Sequence, residues 1–464
     1  MVVGEIVQQK EVVVIGGGPA GYTAAVRAAQ LGKDVLLIEQ RKLGGVCLHD
    51  GCIPSKTLIH AANVAESFTH MKKVGFQLQG LLFDVNTFQT YQQQLIERLY
   101  KGVTALCQKN QIEVVNGTAA FLTDERVSVE KGHQYDVIHF DHAIIATGAA
   151  IFEQDEKLKT QLHPYELFQL KKIPEKLLLI GCDDMIIEAA FAYRKLGAAV
   201  SIIMEQDSFS FDHSITKILK RQLKKAKINV YTKASSIQLS EESDTVYCRF
   251  LKQNGEEATL TATHFYKQAK WLGNTKHLGL TRANVLTDEN GFIKTDEQCR
   301  TQNKHIFAVG DVTGEPLLAA KGIKAGKIAA EVIAGHKAAV DSPWIPKVVY
   351  SDPPIATVGM SEQEAKAAGY AIKVGENSMQ ENGFAQITEK RAGIVKTIFD
   401  KETERLLGMH MIGEGAAELI STAIVAGEMV ARIEDLQYPL YPHPSYHEAL
   451  LTAVEQSDSC GKDV

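Results

Sequence analysis

Two short stretches carry residue types that could move electrons and protons. In GGVCLHDGCIPSK (44–56), Cys47 and Cys52 stand with four residues between them, two of seven cysteines in a chain of 464 residues. In PLYPHPSYHEALL (439–451), His443 lies between Pro442 and Pro444, and Glu448 follows five residues later. A close thiol pair can be half of a metal site, a structural disulfide, a redox pair or a coincidence. A zinc site calls for a second ligand cluster such as CxxC; no other close cysteine pair exists, and no metal is expected. Thiol–disulfide exchange needs a base for one thiol and an acid for the other, and an imidazole held by a carboxylate does both near neutral pH. For His443 and Glu448 taken alone, a loop histidine near a surface glutamate is the plainer reading.

The elements that must position the thiols come just before them. Val12 to Ile15 is a β-branched run, followed by GGGPAG, the helix-like YTAAVRAAQLG and a second strand, DVLLIE. This is a dinucleotide-binding layout. Gly16 makes the tight turn, Gly18 lets a pyrophosphate approach the backbone, and Gly21 lets helix and strand pack closely. The phosphates sit at a helix N-terminus, and Glu39 ends the second strand, where a carboxylate can hold ribose hydroxyls. Cys52 precedes IPSKTLIHAANVAE, a predicted helix with Pro54 near its first turn, so a Cys52 thiolate would be stabilised by that helix end. A redox pair beside a bound nucleotide suggests a flavin as electron acceptor.

Shifted by 165 positions without a gap, the same unit returns as LLLIGCDDMIIEAAFAYRKLGAAVSIIME (177–205). The copy keeps the fold signal and loses the phosphate signal: Gly18 becomes Asp183, Gly21 becomes Ile186 and Glu39 becomes Met204, with Glu205 adjacent. Asp183 and Asp184 would repel phosphate and can cap the helix themselves.

Elsewhere HAIIATGAA (142–150) and HIFAVGDVTG (305–314) read as buried strands, the second opening onto Asp311. From about Pro346 the texture changes to a hairpin, GIVKTIFDKETERLLGMHMIG, and an apolar helix, AAELISTAIVAGEM. KILKRQLKKAK (217–227) reads as a solvated amphipathic helix rather than a basic patch. Cys107, Cys182, Cys248 and Cys299 read as buried hydrophobes or bystanders, and Cys460 sits in a polar tail. A net charge of −6 gives no reason to expect nucleic acid. No apolar run approaches membrane-spanning length and no signal-peptide layout opens the chain, so a cytoplasmic protein off the membrane is expected. The fold class is α/β: two Rossmann-like dinucleotide-binding domains and a C-terminal α+β domain.

These motifs resemble those of the pyridine nucleotide–disulfide oxidoreductases, most closely the dihydrolipoamide dehydrogenase branch. GGVCLHDGCIPSK is similar to the active-site segment, and the likeness extends to GxGxxG, ATG at 146–148, AVGDV at 308–312, VVYSDPPIATVG at 348–359 and HPSYHE. The resemblance implies an FAD domain in residues 1–150 and 276–345, an NAD-type domain in 151–275 and a dimerisation domain in 346–464. It implies a redox disulfide between Cys47 and Cys52, with His443 as base, Glu448 as its carboxylate and His447 as the weaker candidate. Gly16, Gly18, Gly21, Glu39 and Gly45 would hold FAD, with Gly117 near the adenine, Thr147 and Gly148 on the crossing chain, and Asp311 and Ala319 nearer the flavin. Lys56 would approach the flavin ring and pair with Glu188. The family's usual histidine after the Leu-Ala pair is Ala320 here.

Activity follows from the same resemblance. Dihydrolipoamide would attack Cys47, leaving Cys52 as the thiolate facing the flavin, and electrons would pass to FAD and then NAD. A homodimer is implied, serving lipoyl-bearing subunits of a 2-oxoacid dehydrogenase complex or the glycine cleavage system. The alternative is a related flavoprotein disulfide reductase that has lost NAD(H) use. The eroded repeat favours weak or absent NAD(H) binding, as does KWLGN (270–274), which puts Lys270 where the family has a glycine. A rearranged loop that binds NAD through other contacts is the competing expectation.

Overall fold

The structure, a computed structural model, describes residues 7–77, 80–152, 158–340 and 343–459. Cys460 lies outside the described residues. The chain divides into two compact units, one from residues 1–54, 86–155 and 269–341, the other from residues 55–85, 156–268 and 342–464.

The first unit is built on a seven-stranded sheet. Strand β1 (Val7–Ile15) runs parallel to β2 (Val35–Glu39) on one side and to the long strand Gln134–Ile145 on the other. Val12, Val13 and Val14 are fully buried, as strands covered on both faces require. The long strand pairs antiparallel with Arg126–Lys131 along its first half, and its last residues pair parallel with Ile306–Ala308. Helix α1 (Pro19–Gln30) starts with proline, whose fixed φ suits a first turn. It packs against the helix Ala319–Ile333 through small residues: a Cβ on Gly326 would meet the Ala20 carbonyl oxygen and the Ala24 side chain. Two further helices follow β2: the short α2 (Gly45–His49) and α3 (Cys52–Met71).

The second unit repeats the layout. Four parallel strands are ordered Asn229–Tyr231, Ala199–Ile203, Lys176–Ile180 and His264–Lys267. The helix Asp184–Lys195 begins and ends 165 residues after α1. The amphipathic reading of 217–227 holds: the helix His213–Lys225 buries Ile215, Leu219 and Leu223 and exposes its lysines. A five-stranded antiparallel sheet, containing the expected hairpin Ile394–Asp400 and Leu406–Ile412, carries the helices Ala416–Glu428 and His447–Ser459. Lys396 on that sheet is buried against Asp212, the cap of the helix His213–Lys225, at 2.9 Å. Among the described residues, no helix is long and apolar enough to cross a membrane.

Candidate active site

In the first unit the glycine loop is shaped for an anion. Gly16 has a φ of 104°, and a Cβ there would run into the Ala146 carbonyl. A Cβ on Gly21 would collide with the Gly16 carbonyl, so only glycine permits this crossing of helix and strand. Gly18 caps α1 without any side-chain hydrogen bond, and the first turn holds no acidic residue, which leaves the helix N-terminus open. Glu39 takes the Gly17 N–H on Oε2 and the Arg41 N–H on Oε1, both at 2.7 Å, fixing its carboxylate at the end of β2. The Gly117 N–H donates to the Glu39 carbonyl at 3.0 Å.

The loop also borders the thiol segment. A Cβ on Gly45 would fall 2.7 Å from the Gly18 Cα. Asn274 donates to the carbonyls of Gly148 and Thr147, at 3.0 and 3.1 Å, while the Thr147 hydroxyl is buried with no hydrogen-bond partner. Burial pushes the Asp311 carboxyl up, against the pull of Lys321. Ala319 is the first residue of a helix whose cap, Leu318, offers no side-chain acceptor. An uncapped helix end, a cradle that a Cβ would fill, an orphaned hydroxyl and a carboxylate fixed at the end of β2 together fit an FAD.

Cys47 on α2 and Cys52 at the first position of α3 are joined as a disulfide, with 4.7 Å between their Cα atoms. That separation lies inside the range two cysteines can bridge. Gly44, with a φ of 107°, turns the chain into α2. Cys52 leads its helix, so on reduction the helix dipole favours its thiolate. Burial pushes up the thiols of the buried Cys107, Cys248 and Cys299 and of the partly buried Cys182. Its loop position puts it beside Asp183 rather than inside the sheet core.

The second unit holds two carboxylate-centred clusters. Lys56 Nζ sits 2.9 Å from both oxygens of the buried Glu188, and Oε1 also accepts the Tyr350 N–H at 3.0 Å. The Lys56 ammonium lies 5.1 Å from the centre of the Tyr350 ring. His443 Nδ1 is 2.7 Å from Glu448 Oε1, and Glu448 Oε2 accepts the Ser445 N–H at 3.0 Å. These two hydrogen bonds, that from His443 first, hold the Glu448 carboxyl below the usual carboxylate range. Glu448 is therefore an acceptor only, so Nδ1 carries a proton, and in the neutral ring the lone pair lies on Nε2. His443 is 81% exposed within its own chain. His447, four residues on, stacks on Tyr441 and has no such carboxylate. No group of three or more potential metal ligands gathers among the described residues.

At the second glycine loop the backbone is kept and the opening is not. Asp183 has φ −72° and ψ 171°, against −71° and −178° at Gly18. Its Oδ1 accepts the Ile186 N–H at 2.8 Å, and its Oδ2 takes the Tyr266 hydroxyl at 3.3 Å. Gln268 Oε1 accepts the Cys182 N–H at 2.9 Å, and Lys347 lies 2.9 Å from Asp184. Met204 is fully buried. These residues do not fit an NAD. Lys270 stands over the Phe152 ring, and its neighbours Trp271–Gly273 pair with Ala149–Ile151 in the first unit.

Sequence reading missed Tyr350, Tyr266, Gln268 and Lys347. Tyr350 stood within a quoted motif; the other three carried no spacing that tied them to the loop.

The family described as pyridine nucleotide-disulphide oxidoreductase matches residues 10–326, and its dimerisation domain matches residues 345–454. A dihydrolipoyl dehydrogenase of Haloarcula marismortui is 36% identical over 467 residues, covering 98% of both chains. A dihydrolipoyl dehydrogenase of Geobacillus stearothermophilus is 35% identical, covering 98% of this chain and 97% of its own. Among solved structures, LpdA of Mycobacterium tuberculosis has a TM-score of 0.88 at 23% identity, covering 97% of this chain and 99% of its own. The HOCl-induced flavoprotein disulfide reductase RclA of Escherichia coli, as a Cu(II) complex, has a TM-score of 0.85 at 24% identity with the same coverage. At such identities the structural likeness speaks for the fold alone.

Proposed function

Since this chain belongs to the pyridine nucleotide–disulphide oxidoreductases, we propose that it oxidises protein-bound dihydrolipoamide through Cys47 and Cys52. It is an oxidoreductase acting on a sulfur group, in a family whose members use FAD and NAD. The observation that carries the residue-level reading is the disulfide at the head of α3, in the same compact unit as an open glycine loop.

In this reading His443 Nε2 takes a proton from one substrate thiol, and the thiolate attacks Cys47 Sγ. The Cys47–Cys52 bond breaks and Cys52 leaves as a thiolate, favoured by the N-terminus of α3. The second substrate thiol then attacks the mixed disulfide and closes the lipoyl ring; its proton passes to the departing Cys47 sulfur, and the first proton stays on His443 until it is released to solvent. The Cys47 thiol and Cys52 thiolate hold the electron pair. FAD, when bound, supplies the acceptor for that pair. Gly16, Gly18, Gly21, Glu39, Gly45 and Gly117 would hold its adenosine end and pyrophosphate, Thr147 and Gly148 its middle, and Asp311, Ala319 and Lys56 its flavin end. The Glu188 carboxylate keeps Lys56 in place.

The matched dimerisation domain supports a homodimer. The exposed His443 would then serve its partner's disulfide. The lipoyl group would come from a subunit of a 2-oxoacid dehydrogenase complex or the glycine cleavage system, in the cytoplasm. Anaerobic addition of one equivalent of dihydrolipoamide to the FAD-loaded protein tests the reading. It should expose two thiols to alkylation, mapping to Cys47 and Cys52; labelling elsewhere with this pair intact sinks it.

A second reading has its own observation. Asp183 caps the helix of the other glycine loop, which favours a disulfide reductase that has lost the use of NAD(H).

A further inference from the structure

We propose that the second dinucleotide-type fold, built on Lys176–Ile180 and Asp184–Lys195, is closed to pyridine nucleotides because the chain's own side chains occupy its contacts. The inference deepens the second reading above and rests on the family assignment.

The two glycine loops supply an internal control, since one chain folds the same unit twice. A dinucleotide needs free N–H groups at the helix end, room for the pyrophosphate against the backbone and an acid for the ribose. The first loop offers all three. In the second, each is already spent. The Asp183 carboxylate stands where the phosphate would lie and takes the Ile186 N–H, one of the donors the phosphate would use. Its other oxygen is tied to Tyr266, so it is held from two directions. Gln268 accepts the Cys182 N–H, as Glu39 accepts that of Gly17 in the first loop, but its side chain also fills the space over Gly181, where the first loop has only backbone over Gly16.

Charge and shape add to this. Asp184 brings a second carboxylate into the helix's first turn, paired with Lys347. A phosphate would have to displace these pairs and then face their negative charge. Ile186 occupies the crossing where Gly21 lets backbone meet backbone. Met204, the residue just past the strand Ala199–Ile203, is buried and uncharged, in place of the Glu39 carboxylate. Burial raises the Asp183 carboxyl to about 6, so above that pH the cap is a buried anion that a second anion cannot join.

Isothermal titration calorimetry of the FAD-loaded protein with NAD⁺, and separately with NADP⁺, reads binding without turnover. Neither should give saturable heat at millimolar concentration. The double variant Asp183→Gly, Met204→Glu should bind NAD⁺ at least roughly tenfold more tightly than wild type. Micromolar binding by the wild-type protein overturns the proposal. A double variant that keeps its thermal unfolding profile and FAD yet binds no better overturns the assignment of closure to these side chains. Flavin reduction by dihydrolipoamide, measured on the same samples, is the separate arm. Its loss in wild type would count against the dithiol reading while leaving the titration to decide closure.

Discussion

His443 Nδ1 and Glu448 Oε1 stand 2.7 Å apart, and the Ser445 N–H holds the other carboxylate oxygen. The carboxylate accepts the Nδ1 proton, and this leaves Nε2 as the basic atom. Replacing His443 by Gln should slow dithiol-driven flavin reduction by roughly 10²-fold or more, the scale of general acid–base catalysis. FAD content should not change. Glu448→Gln should cost less, since it removes the group that orients the ring and not the ring itself. A larger loss in His447→Gln than in His443→Gln would move the base to the wrong histidine for this account.

Asp183 gives a pH signature. Burial raises its carboxyl to about 6, above the ~3.9 of an ordinary aspartate. For a group raised in the folded state, the stability it contributes is full below the unfolded value and lost as pH rises through about 6. At pH 8 the wild-type protein therefore carries a burden of at most about 3 kcal/mol. Asn can still accept the Ile186 N–H. Asp183→Asn should raise the unfolding temperature at pH 8, with the gain fading as pH falls below about 5. A variant less stable than wild type at both pH values would show that the charged cap stabilises the helix more than burial costs.

Gly375 links packing to chemistry. A Cβ there would run into the Ala453 carbonyl and lie 2.6 Å from Ser457 Oγ, on the helix whose first turn carries Glu448. Gly375→Ala must push that helix away from its strand, at an overpacking cost of about 1–3 kcal/mol. Dithiol-driven reduction should slow while FAD is retained, because the glycine loop proposed to hold FAD belongs to the other compact unit. Unchanged rates with unchanged stability would mean the helix can shift freely without disturbing Glu448.

Much of this architecture was legible because glycine loops have fixed spacing. The helix Asp184–Lys195 falls on the repeat of Pro19–Gln30, and Asp183 caps it as its position suggests. Cys47 and Cys52 were legible from spacing and from the helix that follows. Gln268 was not: it meets Cys182 across 86 positions, a contact set by the pairing of His264–Lys267 with Lys176–Ile180. Nor was the long strand Gln134–Ile145, whose two ends pair with different neighbours.

The most direct test of the central claim uses the two thiols against each other. In the anaerobic FAD-loaded protein, two-electron reduction by dihydrolipoamide should give a long-wavelength absorption band from the Cys52 thiolate beside oxidised flavin. Cys47→Ser should show that band and Cys52→Ser should lack it. The reverse pattern would exchange the roles of the two cysteines; flavin reduction at the wild-type rate in both variants would contradict passage of electrons through the Cys47–Cys52 pair.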